Sequence, residues 1–287
     1  MSVDQERIHL LFRKLGRQIA KASNKPQSQN VHQFRTATRR LEAVLEELVP
    51  EPDRNQRKLL KQLARLRRRA GRVRDLDVQI AALRSLKMSE EPGRKTQLLR
   101  NLLEIRSQRE KKLVDALDTD TVRDLRKRLK RAAANVDVSL ENFDPLLHAS
   151  RMFARVSAAQ ATLSEEVLHK YRIAGKRVRY IAELAKDRPA AETMIGQLQR
   201  MQDALGDWHD WLTLSATVKK LAGNVPHSGL QAAVTNITRA KLRDAMQVVA
   251  ETKAALLARP YSKKTSEVHS ADAQSRSAAA QSATAAA

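Results

Sequence analysis

A chain of 287 residues is long enough for one large domain or two modest ones around a substantial core. Its 54 Lys and Arg against 32 Asp and Glu leave a formal net charge of +22, and a compact body so charged repels itself, which makes a polyanion its natural partner. Cysteine is absent, which excludes disulfides and thiolate metal sites and fits a reducing cytoplasm; with no signal-peptide core and no run near 18 to 20 apolar residues, roughly, the expectation is a soluble protein without membrane insertion.

Eight Gly and eight Pro punctuate long runs of helix-forming Leu, Ala, Arg, Lys, Glu and Gln. No run alternates with period two, so the fold class is all-α. Predicted helices cover 4–22, 31–49, 54–87, 94–117, 121–134, 146–162, 165–186, 190–221 and 229–258. Breaks such as SNKPQSQN (23–30), PEPD (50–53) and SEEPG (89–93) separate them, and Asp53 and Ser164 are the N-caps expected at two of the starts.

The second helix opens with VHQFRTATRR. At 100° per residue Phe34, Leu41, Leu45 and Leu48 cluster on one side, with His32, Arg35 and Arg39 opposite and Arg40 on the flank. The third is more extreme, with ten Arg or Lys and no acid over residues 54–74. Leu59, Leu63, Leu66, Ala70 and Val73 form its buried stripe, and Arg54, Arg57, Lys61, Arg65, Arg68 and Arg72 fall on the far side. That row spans about 27 Å at 1.5 Å per residue. Exposed helices usually interleave acids for i,i+4 pairing, so an acid-free row points to a ligand, and Arg forks onto phosphate oxygens in a bidentate way. The candidate set here is Lys61, Arg65, Arg68, Arg69 and Arg72.

The opening segment returns as LHKYRIAGKR, 137 positions later (169 − 32). Tyr171, Ala174 and Val178 form its apolar side, opposed by His169, Arg172 and Lys176, with Arg179 near them. LARLRRRAGRVRD (63–75) returns as LQRMQDALGDWHD (198–210) at an offset of 135 (210 − 75), pairing Gly71 with Gly206 and Asp75 with Asp210. Two collinear matches argue for an internal duplication, and hence for two similar helical bundles across a pseudo-twofold axis. The second copy is less basic: Arg68 maps to Asp203 and Arg72 to Asp207. From Arg259 to Ala287 the chain turns Ser/Ala-rich with hardly any large apolar residue, so 259–287 is expected to be disordered.

VHQFRTATRRL and LHKYRIAGKRVRYIAEL, with GRVRDLDV and LQRMQDALGDWHD, resemble the CHAD domain, the conserved histidine α-helical domain, over about residues 4–258. The resemblance implies two four-helix bundles (about 4–134 and 146–258) related by pseudo-twofold symmetry, with a basic central channel that binds inorganic polyphosphate. It also implies targeting to polyphosphate granules in the cytoplasm. The family's histidine and basic positions fall on His32, Arg35, Arg39, Arg40, His169, Arg172, Lys176, Arg177 and Arg179. CHAD domains often follow a CYTH triphosphatase domain. Here no such domain precedes and no Glu-x-Glu-x-Lys segment occurs, so the expectation is a binding protein without hydrolase activity or cofactor.

The residues agree with that implication. Polyphosphate is a flexible string without bases, so its binder needs a long cationic groove and no stacking platform. Two Trp, three Tyr and four Phe are few, and Phe34 and Tyr171 lie on apolar faces, which counts against single-strand nucleic acid. Duplex backbone binding needs only cations and is the alternative, with RDLRKRLKR (123–131) in its favour. The seven His form no HExxH and no i,i+4 pair; no metal is expected, and His32 and His169 are read as hydrogen-bonding groups.

Overall fold

Nine α-helices and no strand make up the described residues of the computed structural model, which are 5–49, 51–87, 92–136, 143–159, 162–222, 228–258 and 261. In chain order they are α1 (Gln5–Asn24), α2 (Ser28–Leu48), α3 (Arg54–Ser85), α4 (Pro92–Ala116), α5 (Thr119–Ala134), α6 (Pro145–Ala158), α7 (Glu165–Ala182), α8 (Pro189–Ala222) and α9 (Gly229–Ala258).

Local chemistry sets the starts. Asp53 closes a capping box with Gln56: its carboxylate accepts from the Gln56 amide at 2.7 Å while Gln56 Oε1 accepts from the Asp53 amide at 2.9 Å. Ser164 Oγ accepts from the Val167 amide at 3.3 Å. Helix α5 begins at Thr119 rather than 121 because the Asp118 carboxylate, one residue earlier, takes the Thr121 amide at 2.6 Å. Helix α2 begins at Ser28 rather than 31. Asn30, which reads as a loop residue, instead donates its side-chain amide to the Lys25 carbonyl at 2.8 Å and so covers the end of α1. Helix α7 stops at Ala182, short of the expected 186, and tightens into a 3-10 turn over Glu183–Ala185 before Pro189.

Helix α1 packs on α2 and α5, and α3 on α2, α4 and α5; α6 packs on α7, α7 on α8, and α9 lies along α8 and returns to α6 and α7. The two groups meet where α2 touches α7 and where α8 touches α3 and α4. One apolar core runs through both groups, from Phe12, Phe34, Leu63 and Leu125 to Phe153, Tyr171, Leu198 and Trp208. The 32 residues of α3 and 34 of α8 make rods of about 50 Å, which outrun that core. A second cluster at their far ends joins Ile80, Leu83, Leu98 and Leu102 to Leu214, Val218, Leu230 and Val234. Helices α3 and α8 are thereby joined through both hydrophobic clusters.

The Ser/Ala-rich stretch lies outside the described residues except for Tyr261, which is half-buried against the main core. Its hydroxyl oxygen accepts from Arg188 Nη1 at 3.2 Å, and the same guanidinium pairs with Asp144 at 3.0 Å.

Candidate functional site

Phe34 and Tyr171 are fully buried. Fixing those two rings orients α2 and α7, because the residues beside each ring are carried to the faces where the helices meet. Arg35 and Arg39 from α2 come close enough to α7 that both act on the Lys176 ammonium, Arg39 acts on Arg172, and Arg172 acts on Arg35. Arg67 of α3 also acts on Arg35, and Arg74 of α3 acts on His32.

Two carboxylates, from α3 and α8, enter this group beside Glu42 of α2, which pairs with Arg67 and also feels Arg39. Asp75 of α3 stands 3.9 Å from Arg35 Nη2, and Asp210 of α8 acts on Arg172 and Lys176. They are the pair matched by the repeat, as are Arg35 and Arg172. The same correspondence holds at the histidines. His32 neighbours Arg74; its counterpart His169 lies 5.8 Å from His209, ring centre to ring centre, and His209 is the residue matched to Arg74.

Cations outweigh anions here, and burial disfavours their charged forms. Burial pushes the Lys176 ammonium down to about 7, helped by Arg172, Arg39 and Arg35 and opposed by Asp210. Burial lowers the Arg35 guanidinium to about 10 against the pull of Asp75, and lowers Arg172 as well. His209 falls to about 4 through burial and then Arg172, His169 and Lys176. His32, exposed at the edge, is lowered by desolvation and then by Arg74, Arg35 and Lys176. Asp210 rises to about 6: the loss of hydration outweighs the neighbouring cations.

Gly71 makes room for this arrangement. A Cβ there would sit 2.3 Å from Arg35 Nη1, whereas one at Gly206 would meet nothing within 4 Å. The obstructed atom ends a flexible side chain, so Gly71→Ala is expected to leave the fold intact and displace the guanidinium. Each Gly→Ala change should add up to about 1 kcal/mol of helix stability. Only Gly71→Ala should also cost polyanion affinity, up to about ten-fold for one charge-assisted contact. Melting temperature and affinity of the two variants side by side check this.

The other expected site residues are placed differently. Arg40 Nη2 pairs with Glu183 at 2.7 Å and stacks over Tyr180, and Arg179 pairs with the same carboxylate at 3.7 Å. Arg177 pairs with Glu47 at 2.9 Å and Glu46 at 3.0 Å, and His148 shares Glu47 at 2.9 Å. These three arginines tie α7 to α2 and the turn after α7. Lys61, Arg65, Arg68, Arg69 and Arg72 lie exposed along α3, and Arg69 donates to the Lys112 carbonyl at 3.1 Å.

Sequence reasoning missed Arg67, Arg74, Asp75, His209 and Asp210. Arg67 pairs with Glu42 at 2.7 Å and Arg74 donates to Ser28 Oγ at 3.1 Å, so the α3 face turned toward α2 carries positions 67, 71 and 74. The spacing i, i+4, i+7 marks those three as one face, and the repeat pairs Asp75 with Asp210.

Fold and site together define an all-helical protein with a cation-rich cluster at the meeting of two helix groups. The family model described as the CHAD domain matches residues 6–219, and the chain belongs to the CHAD domain family. Solved structures with the same fold include the crystal structure of the CHAD domain from the plant Ricinus communis. It is 20% identical, with a TM-score of 0.67 over 91% of this chain and 95% of that one. PptA from Streptomyces chartreusis is similar at 14% identity and a TM-score of 0.62, over 90% of this chain and 100% of that one. A search of curated proteins finds no match. Among the described residues no helix is long and apolar enough to cross a membrane.

Proposed function

We propose that the chain binds inorganic polyphosphate in a basic channel between two pseudo-twofold-related bundles, and that it acts at polyphosphate granules as a binding protein and not as a hydrolase. The observation that carries this reading is the half-buried group Arg35, Arg39, Arg172 and Lys176, four cations set against the carboxylates of Asp75 and Asp210 and, beside Arg39, Glu42, which Arg67 already holds. An anion entering there relieves repulsion, and the buried Nε–H groups of Arg39 and Arg172 have no hydrogen-bond partner among the described residues. Guanidinium forks at this density suit consecutive phosphates. The repeat supports a ligand gripped from two sides, since each copy supplies one arginine and one carboxylate at matched positions.

None of the four Phe, three Tyr and two Trp is exposed. A base-stacking surface therefore has no aromatic to build it, which favours a base-free phosphate chain. The nucleic-acid alternative rests on α5, where Arg126, Lys127, Lys130 and Arg131 are exposed. Competition at physiological salt separates the two. Long-chain polyphosphate is expected to displace duplex DNA at equal phosphate concentration, with affinity falling steeply as salt rises. Retention of DNA would transfer the assignment to nucleic acid.

A further inference from the structure

Helix α3 carries cations that the central cluster leaves unused. Arg54, Lys61, Arg65, Arg68 and Arg72 are all exposed, and among the described residues none of them pairs with a carboxylate. Like charges at i,i+3 and i,i+4 weaken a helix. Here the capping box and the Leu59–Leu63–Leu66 stripe hold α3 in spite of them.

The row has a definite place. With Arg67 as origin, Lys61, Arg65, Arg68 and Arg72 point about 100° to 160° around α3. On one side of them lie Arg67, Gly71 and Arg74, which face α2. On the other lie Gln62 and Asn55, which α5 covers by hydrogen bonds to Asp124 at 2.9 Å and to the Arg128 carbonyl at 3.1 Å. The row is thus an open strip that begins beside the central cluster.

It is also one-sided. On α8 the positions matched to Arg68 and Arg72 are Asp203 and Asp207. Asp207 is held by Lys241 of α9 at 2.9 Å, Asp203 by Gln199 at 2.7 Å, and Arg200, matched to Arg65, by Glu251. The second copy neutralises the surface that the first leaves bare.

We infer that the α3 row is an outer track for the part of a polyphosphate chain that extends beyond the central cluster, so that long chains leave the protein over α3 and not over α8. This rests on the polyphosphate reading. A row one cation wide suits a single phosphate strand, whereas a duplex presents two backbones across a groove about 12 Å wide.

Two probes test it, tripolyphosphate and long-chain polyphosphate, on a variant carrying Lys61→Gln, Arg65→Gln, Arg68→Gln and Arg72→Gln. These side chains leave the core untouched and repel one another, so the melting temperature should hold or rise. Tripolyphosphate affinity should be unchanged. Long-chain affinity should fall about ten-fold or more, and its salt dependence should flatten by roughly three in log–log slope for four lost contacts. Unchanged long-chain affinity and slope overturn the track while leaving the central site standing. Equal loss of both probes overturns it too, by making the row part of the central site. Loss of duplex DNA binding alone overturns it in favour of a nucleic-acid surface. Wild-type protein that binds neither phosphate probe removes the polyphosphate reading itself.

Discussion

Replacing Arg35 and Arg39 together with Ala is expected to weaken polyphosphate binding about ten-fold or more, and replacing Arg172 and Lys176 with Ala should weaken the same event by a similar factor. The first pair comes from α2 and the second from α7, yet each acts on the other's charge. A hydrogen bond to a charged group contributes about 1.5 to 3 kcal/mol. Two lost contacts would cost more than ten-fold if nothing compensated, but removing two cations also relieves the repulsion on those that stay, so the lower figure is the safer expectation. The fold should survive, because these side chains lie away from the buried Phe34 and Tyr171 rings. Removing Arg35 does leave Asp75 without that partner, but its side chain is 60% exposed and water can take it over. Stoichiometry with a short polyphosphate decides the matter. One chain per protein, weakened by either double variant, is the expected result. Two independent sites, each lost in only one variant, would sink the shared grip.

The sequence made the helices legible and half of the cluster with them. Asp53 and Ser164 cap where expected, and the period of Phe34 and Tyr171 placed Arg35, Arg39, Arg172 and Lys176 on the opposite faces. Their meeting depends on packing, which periodicity does not carry. A helical wheel says that a face is free of core residues, not which neighbour covers it. Arg40, Arg177 and Arg179 read as site residues through the family resemblance; in the structure Arg40 and Arg179 share Glu183 of the turn after α7, and Arg177 pairs with Glu47 of α2. On α3 the acid-free row consists of the outermost cations. The ones that reach the cluster, Arg67 and Arg74, share their strip with Ala64 and Gly71, and Asp75 follows Arg74, so that strip looks less basic. Asp75 and Asp210 were visible in the repeat. An acid inside a cation-rich cluster becomes intelligible only once half-buried arginines need a counter-charge.

The affinity for polyphosphate is expected to fall as pH rises above about 7, approaching ten-fold per pH unit for one linked proton. Lys176 faces Arg172 on its own helix, Arg39 and Arg35 on α2 and Asp210 on α8, and its folded-state pKa is about 7 against an ordinary 10.5. Between those values the unfolded chain holds more protons than the folded one, so the free protein gains stability as pH rises from about 7 to about 10.5. Asp210 runs the other way: at about 6 against 3.8, the stability it contributes is full below 3.8 and lost as pH rises through 6. His209, at about 4 against 6.5, adds stability as pH climbs over nearly the same window and so offsets Asp210. Lys176 is left as the uncompensated group near neutrality. A polyanion beside it favours the ammonium, so above pH 7 binding must draw a proton from solution, whereas below that pH the proton is already in place. Titration calorimetry in two buffers of different ionisation enthalpy measures the uptake directly. Lys176→Arg, whose guanidinium stays charged throughout, should abolish most of it and hold the affinity level from neutral to mildly alkaline pH. Wild-type affinity that stays flat across that range, with no proton taken up, would mean that Lys176 does not meet the ligand.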